Sequence, residues 1–224
     1  MNKRGWLYTS FCTDDDMHTE TKQSLYGTHN FLVCHEEELF GIFVDYPGKV
    51  HFDIGYTDSD TLTIHPEMMN INLYIIYGSS ILEIIQTFRT LIGQSYMPPK
   101  WAFGYQQSRW SYETEADVLD VVKKFKINQI PLDSIYLDID YMQNFKDFTV
   151  DSKRFPNFES FVKSLKKVGV HLVPIIDASV KVEPGYEIYE EGIKNGYFIQ
   201  SEDGTPFEVA VWPGKVHFPD FLNK

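Results

Sequence analysis

Cysteine is nearly absent: Cys12 and Cys34 are the two in 224 residues. That is too few for a disulfide scaffold, and reduced thiols in a cytoplasmic protein are the expectation. Basic residues are also short, 20 Lys and Arg against 32 Asp and Glu, for a formal charge of −12. No Lys/Arg cluster forms a basic face, so no nucleic-acid partner is expected, and an anionic membrane surface is disfavoured for the same reason. Long apolar runs are missing too. The longest, around Leu73 to Tyr77, is far below the roughly 20 residues that cross a bilayer. Met1-Asn2-Lys3-Arg4-Gly5 is not followed by a signal-peptide core, so nothing directs export. What is present is 43% hydrophobic and 16% aromatic, enough to bury the core of one large domain or two small ones. The aromatics suit sugar-stacking walls and the core of a β-sandwich equally.

The chain divides into two halves with different periods. Phe31–His35, Leu39–Asp45, Val50–Tyr56, Thr61–Ile64 and Ile71–Tyr77 read as short strands, separated by turn residues such as Asp45-Tyr46-Pro47-Gly48 and Asp58-Ser59-Asp60. A helix follows, with Ser80 as N-cap, Glu83 as its capping-box partner and Gly93 as its end. Met97-Pro98-Pro99-Lys100 breaks helix and ladder alike, which sets the domain expectation: 1–93 as a β-rich part with a closing helix, 94–100 as linker, 101–224 as a second domain. In that second part strand and helix alternate. Trp101–Gln106 reads as a first strand, and Thr114 caps a helix carrying Val118, Val121, Val122 and Phe125. Ser134–Ile139 is the second strand, and a helical stripe from Phe158 to Val168 is closed by Gly169. A third strand then runs into Asp177, and a short helix covers Tyr186–Lys194. Repeated strand–helix units predict a parallel sheet with helices outside. A closed eight-unit barrel takes about 250 residues, so this part reaches less than halfway round one.

The chemistry is concentrated where the apolar strands end. Ile135-Tyr136-Leu137 runs into Asp138-Ile139-Asp140, and His171-Leu172-Val173-Pro174-Ile175-Ile176 runs into Asp177. An ionised carboxylate is costly to bury without partners, so acids at strand ends point to a cleft. In sheets built from strand–helix repeats, that carboxyl end is where ligands bind.

Five motifs in order carry a resemblance: Trp101-Ala102-Phe103-Gly104 with Ser108-Arg109-Trp110; Asp138-Ile139-Asp140-Tyr141-Met142 with Asp147-Phe148-Thr149; Ile175-Ile176-Asp177; Val211-Trp212-Pro213-Gly214; and Phe218-Pro219-Asp220. The sequence resembles glycoside hydrolase family 31, its α-glucosidase branch most closely, and the likeness extends back through Leu25-Tyr26-Gly27 and the β half. The resemblance implies an α/β chain with a β-rich N-terminal part. This would be the later portion of an antiparallel β-sandwich followed by the first βα units of a (β/α)8 TIM-type barrel, truncated relative to the longer proteins of the family. It further implies that Asp14 and Asp138 accept hydrogen bonds from hydroxyls of a non-reducing-end glucose. Trp110, Ile139, Ile175 and Trp212 would wall the pocket, and Asp177 would stand beside them. The nucleophile and the acid/base, both aspartates in the family, are expected beyond Lys224. The partner is then an α-glucoside or oligosaccharide, with no metal or cofactor, and an open barrel edge would favour self-association.

Blander readings stand beside these. Asp14-Asp15-Asp16 is an acidic run of the kind that forms solvated loops, and no second histidine at ligand spacing makes His18 and Glu20 a metal site. Asp138 and Asp177 could cap loops, and Trp110 and Trp212 could be core. Among rival functions, a metal-dependent nucleotide-sugar glycosyltransferase also uses Asp-x-Asp. It would place a nucleotide-binding α/β unit upstream, where this chain has antiparallel strands and no glycine-rich phosphate loop. A non-catalytic carbohydrate-binding or structural piece fits the same walls and stays open.

Overall fold

Strand alternation organises the first hundred residues of the computed structural model, which describes residues 2–223 apart from Asp16, Glu36 and Met69; Asp16 of the acidic run therefore lies outside the described residues. Six strands, β1 (Trp6–Ser10), β2 (Phe31–His35), β3 (Leu39–Asp45), β4 (Val50–Ile54), β5 (Leu62–Pro66) and β6 (Asn72–Tyr77), form two antiparallel sheets ordered β1-β4-β5 and β2-β3-β6. In β4, Val50 and Phe52 are buried and His51 between them is exposed, the two-residue period of a half-buried strand. Those two side chains meet Ile42 and Val44 of β3 in one apolar cluster, joined by Tyr8, Leu32 and Ile64, so the two sheets share a core.

Helix α1 (Ile81–Ile92) closes this unit. Ser80 Oγ accepts from the Glu83 amide at 3.2 Å, as the capping pattern requires. The Glu83 carboxylate turns instead to the amide and hydroxyl of Ser79, at 2.8 and 2.7 Å, so the reciprocal half of the capping box goes one residue upstream. Ile84 and Phe88 are the buried stripe, and Phe88 stacks on Phe31 at 4.2 Å.

The chain separates into two compact units, Met1–Tyr96 and Met97–Lys224. In the second, the expected first strand is mostly absent. Lys100–Phe103 forms a 3-10 turn and only β7 (Gln106–Gln107) is extended. The cause is local: Ala102 and Gly104 amides bond back to Pro99 and Trp101 carbonyls at 2.9 and 3.1 Å. Gly104 is also pressed on Asp133 so closely that a Cβ there would sit 2.0 Å from Oδ2.

Helix α2 (Glu115–Ile127) has a complete capping box between Thr114 and Asp117. β8 (Ser134–Leu137), α3 (Phe158–Lys167) and β9 (His171–Pro174) follow. β7, β8 and β9 are parallel neighbours in chain order, the opening of a strand–helix repeat. Ile135 and Leu137 of β8 are fully buried against Val118 of α2 and Phe161 and Leu165 of α3.

One further sheet was not foreseen. β10 (Val180–Lys181), helix α4 (Glu187–Asn195), β11 (Glu208–Val211) and β12 (Gly214–His217) complete the unit, and β10, β12 and β11 pair antiparallel. Among the described residues no helix is long and apolar enough to cross a membrane.

Candidate functional site

Ile135 and Leu137 face the helices, so alternation puts Ser134, Tyr136 and, in phase with them, Asp138 on the opposite side of the sheet. Asp138 directly follows β8 as N-cap of a 3-10 turn, Ile139–Tyr141, and its Oδ1 accepts from the Ile139 amide at 2.8 Å. β9 runs alongside with Leu137 opposite Pro174, and the Ile175 amide bonds to the Leu137 carbonyl at 3.0 Å. This registers the segment after β9 against the segment after β8. Asp177 therefore comes to the same strand end as Asp138, near enough that the Asp138 charge helps raise its carboxyl, after burial as the larger cause.

A third carboxylate completes the group. Asp147 is 4% exposed, and its Oδ1 accepts the Asp177 amide at 3.0 Å. Burial, then the neighbouring Asp177 charge, pushes its carboxyl above the usual range, although the Asp177 amide opposes the shift. Two tyrosines brace the acids. Tyr141 Oη donates to the Ile175 carbonyl at 2.8 Å and Tyr186 Oη to the Asp147 carbonyl at 2.7 Å. Burial and the nearby carboxylates hold both phenols up to about 12, so both remain donors at neutral pH. Like charges crowded at one strand end, with the Asp147 and Asp177 carboxyls raised, mark a place where cationic or hydroxylated groups are favoured.

Asp140 is turned away from this group. Arg154 Nη1 donates to its carbonyl at 3.1 Å and lies 3.5 Å from Oδ1, while its Oδ2 is buried with no partner. The Asp140–Arg154 pair anchors the turn that follows Asp138.

The remaining sequence-derived candidates divide. Ile139 and Ile175 are half-buried beside Asp138 and its paired strand end. Trp212 occupies, with Pro213, the two-residue turn of the β11–β12 hairpin. It is 49% exposed and meets Phe145, two residues before Asp147, edge-on at 5.4 Å. Trp110 is 69% exposed between β7 and α2 and makes no ring contact among the described residues. Neither tryptophan is core. Asp14 is exposed in the first unit. No group of three or more His, Cys, Asp or Glu side chains among the described residues is arranged to hold a metal.

Sequence reasoning gave no role to Asp147, Tyr141 or Phe145. Tyr141 and Asp147 lie in the motifs Asp140-Tyr141-Met142 and Asp147-Phe148-Thr149 and Phe145 lies between them, but it takes the folded loop to bury one acid of a polar-looking segment.

Comparison with known proteins follows the same lines. The family described as "Glycosyl hydrolases family 31 TIM-barrel domain" matches residues 95–224. The whole chain is 40% identical over 226 residues to "Alpha-glucosidase 2" of Bacillus thermoamyloliquefaciens, spanning 29% of that protein. It is 32% identical over 225 residues to "Alpha-glucosidase" of Saccharolobus solfataricus, spanning 32% of it. The solved family 31 alpha-glucosidase from Bacteroides thetaiotaomicron superposes with a TM-score of 0.83 at 30% identity, over 99% of this chain and 38% of that one. The chain thus spans well under half the length of the proteins it resembles.

Proposed function

This chain belongs to glycoside hydrolase family 31, and we propose that it supplies the glucose-holding part of a retaining α-glucosidase. The observation that carries this reading is the convergence of Asp138, Asp177 and Asp147 at the carboxyl ends of adjacent parallel strands. An oxygen of Asp138 beyond its capping bond accepts a sugar hydroxyl as a charge-assisted hydrogen bond. Asp177 adds a second acceptor held in place by Asp147. Ile139, Ile175 and Trp212 present apolar surface to sugar C–H groups, and Trp110 reaches the sugar from the loop between β7 and α2.

Retention by double displacement needs two further carboxyl groups about 5 Å apart. We assign these to aspartates beyond Lys224. The two sheets of the first unit are read as part of a β-sandwich, and the outer edge of the β7-β8-β9 sheet as a route to self-association. Cys12, exposed and free, and Cys34, free with its thiol pushed up by burial, support residence in a reducing compartment.

The test is turnover of 4-nitrophenyl α-glucoside. The full-length protein is expected to release glucose first as the α-anomer, seen by NMR, and the pure 224-residue chain to release none. Turnover by that chain alone would overturn the assignment of the bond-breaking pair, and a β-anomer first would overturn the retaining mechanism.

A further inference from the structure

Between Met142 and Thr149 three non-glycine residues hold positive φ: Asn144 at 52°, Phe145 at 59° and Phe148 at 61°. Aromatic side chains rarely take this backbone, and such strain persists only where the surroundings over-determine it. They do so here. Lys181 Nζ donates to the Asn144 carbonyl at 3.0 Å. Lys146 and Lys181 both reach the Glu183 carboxylate, at 2.8 and 3.0 Å. Thr149 Oγ1 donates to the Lys146 carbonyl at 2.6 Å while accepting from the Gln143 amide at 2.9 Å.

The residue so held is not a core residue. Phe145 is 39% exposed, so burial does not offset the strain of its backbone. Its one ring contact among the described residues is Trp212, met at an interplanar angle of 90°. A perpendicular contact fixes the plane of the indole and leaves it half exposed.

We propose that Phe145 is a positioning residue for sugar binding: the strained 143–149 loop, locked by Lys146, Lys181 and Glu183, holds its ring against Trp212 and sets the orientation in which the indole meets the substrate. This rests on reading the aspartate cluster as a glucose pocket. It adds that the wall is built by the loop after β8 as well as by the hairpin that carries Trp212.

The experiment uses the full-length enzyme with Phe145→Ala, Phe145→Tyr and, alongside them, Asp138→Asn. An edge-to-face aromatic pair is worth enough to predict a rise in KM of about three- to tenfold for Phe145→Ala. Its kcat should stay within about twofold, because ground-state and transition-state binding are lost together. Acrylamide quenching of tryptophan emission should rise in the same variant, and not when Trp212→Phe is also present. Phe145→Tyr keeps the ring and should restore both quantities. If Phe145→Ala does not fold, Phe145→Leu, which keeps apolar bulk without a ring edge, is read by the same two measurements.

A native KM with native quenching in the alanine or leucine variant overturns the proposal. If Asp138→Asn is crippled in that same experiment, only the positioning role falls. If Asp138→Asn retains full kcat/KM, the glucose-pocket reading falls, and the sugar-binding part of the proposal with it.

Discussion

Asp138 carries two separable loads, and two substitutions pull them apart. Its Oδ1 caps the 139–141 turn through the Ile139 amide at 2.8 Å, and in the proposed function its carboxylate also holds a glucose hydroxyl. Asparagine caps as well as aspartate, whereas alanine costs about 1 kcal/mol at such a position. For a domain of about 150–250 residues 1 kcal/mol corresponds to a melting shift of roughly 2–4 °C, and for a longer protein to less. On the catalytic side, loss of a charge-assisted bond that tightens in the transition state removes about 3 kcal/mol, or on the order of a hundredfold in kcat/KM. Asp138→Asn should therefore melt within about 1 °C of the parent while losing that hundredfold, and Asp138→Ala should lose both. Calorimetry and α-glucoside kinetics on the same full-length preparations decide the matter. An asparagine variant with near-native kcat/KM would reduce Asp138 to a cap and refute the reasoning.

Three further outcomes follow from packing and charge. Asp147→Asn should raise the melting temperature at neutral pH. The raised carboxyl means that the unfolded chain ionises first, so this acid costs stability as pH climbs from the ordinary carboxylate range through its folded value. The gain should fade toward about pH 3, where both states are protonated, and a pH-independent gain contradicts the account. Arg154→Met strands the half-buried Asp140 carboxylate, whose Oδ2 is out of solvent without a partner, and should cost about 2 kcal/mol in urea melts, below the range for breaking a fully buried pair because both side chains are partly exposed; a loss under about 0.5 kcal/mol speaks against it. Gly192→Ala gains up to about 1 kcal/mol of helix propensity. Its Cβ, however, would lie 2.3 Å from the buried Phe198 ring, so overpacking should leave a net loss, and a higher melting temperature would refute that.

Strands whose burial follows a local pattern were legible. β2 and β3 fall where alternation and the flanking turns predict, and α2 starts at its capping box. β1 was not seen because Trp6 and Leu7 are both exposed and the strand exists through its pairing with β4. The β10-β12-β11 sheet was missed for the same reason. β10 is two residues long and has no pattern of its own, and it becomes a strand only against residues thirty-odd positions later. In the site, Asp138 and Asp177 could be found because each ends an apolar run. Asp147 could not, since its burial depends on Asp177 and Tyr186 closing over it.

The pairing of β10 with β12 also defines what can be exchanged between relatives. The Trp212 turn looks like a self-contained hairpin, Glu208–His217, that could be transplanted to alter selectivity. Yet β12 is the middle strand of its sheet, with Val216 opposite Lys181 and His217 opposite Val180. The Val182 amide also bonds to the Lys215 carbonyl at 2.9 Å. A hairpin moved alone would arrive with one flank of its ladder unmatched and its tryptophan out of register. The smallest graft that carries its own alignment runs from β10 through β12 as a single cassette, and chimaeras cut inside that span should express poorly compared with those cut outside it.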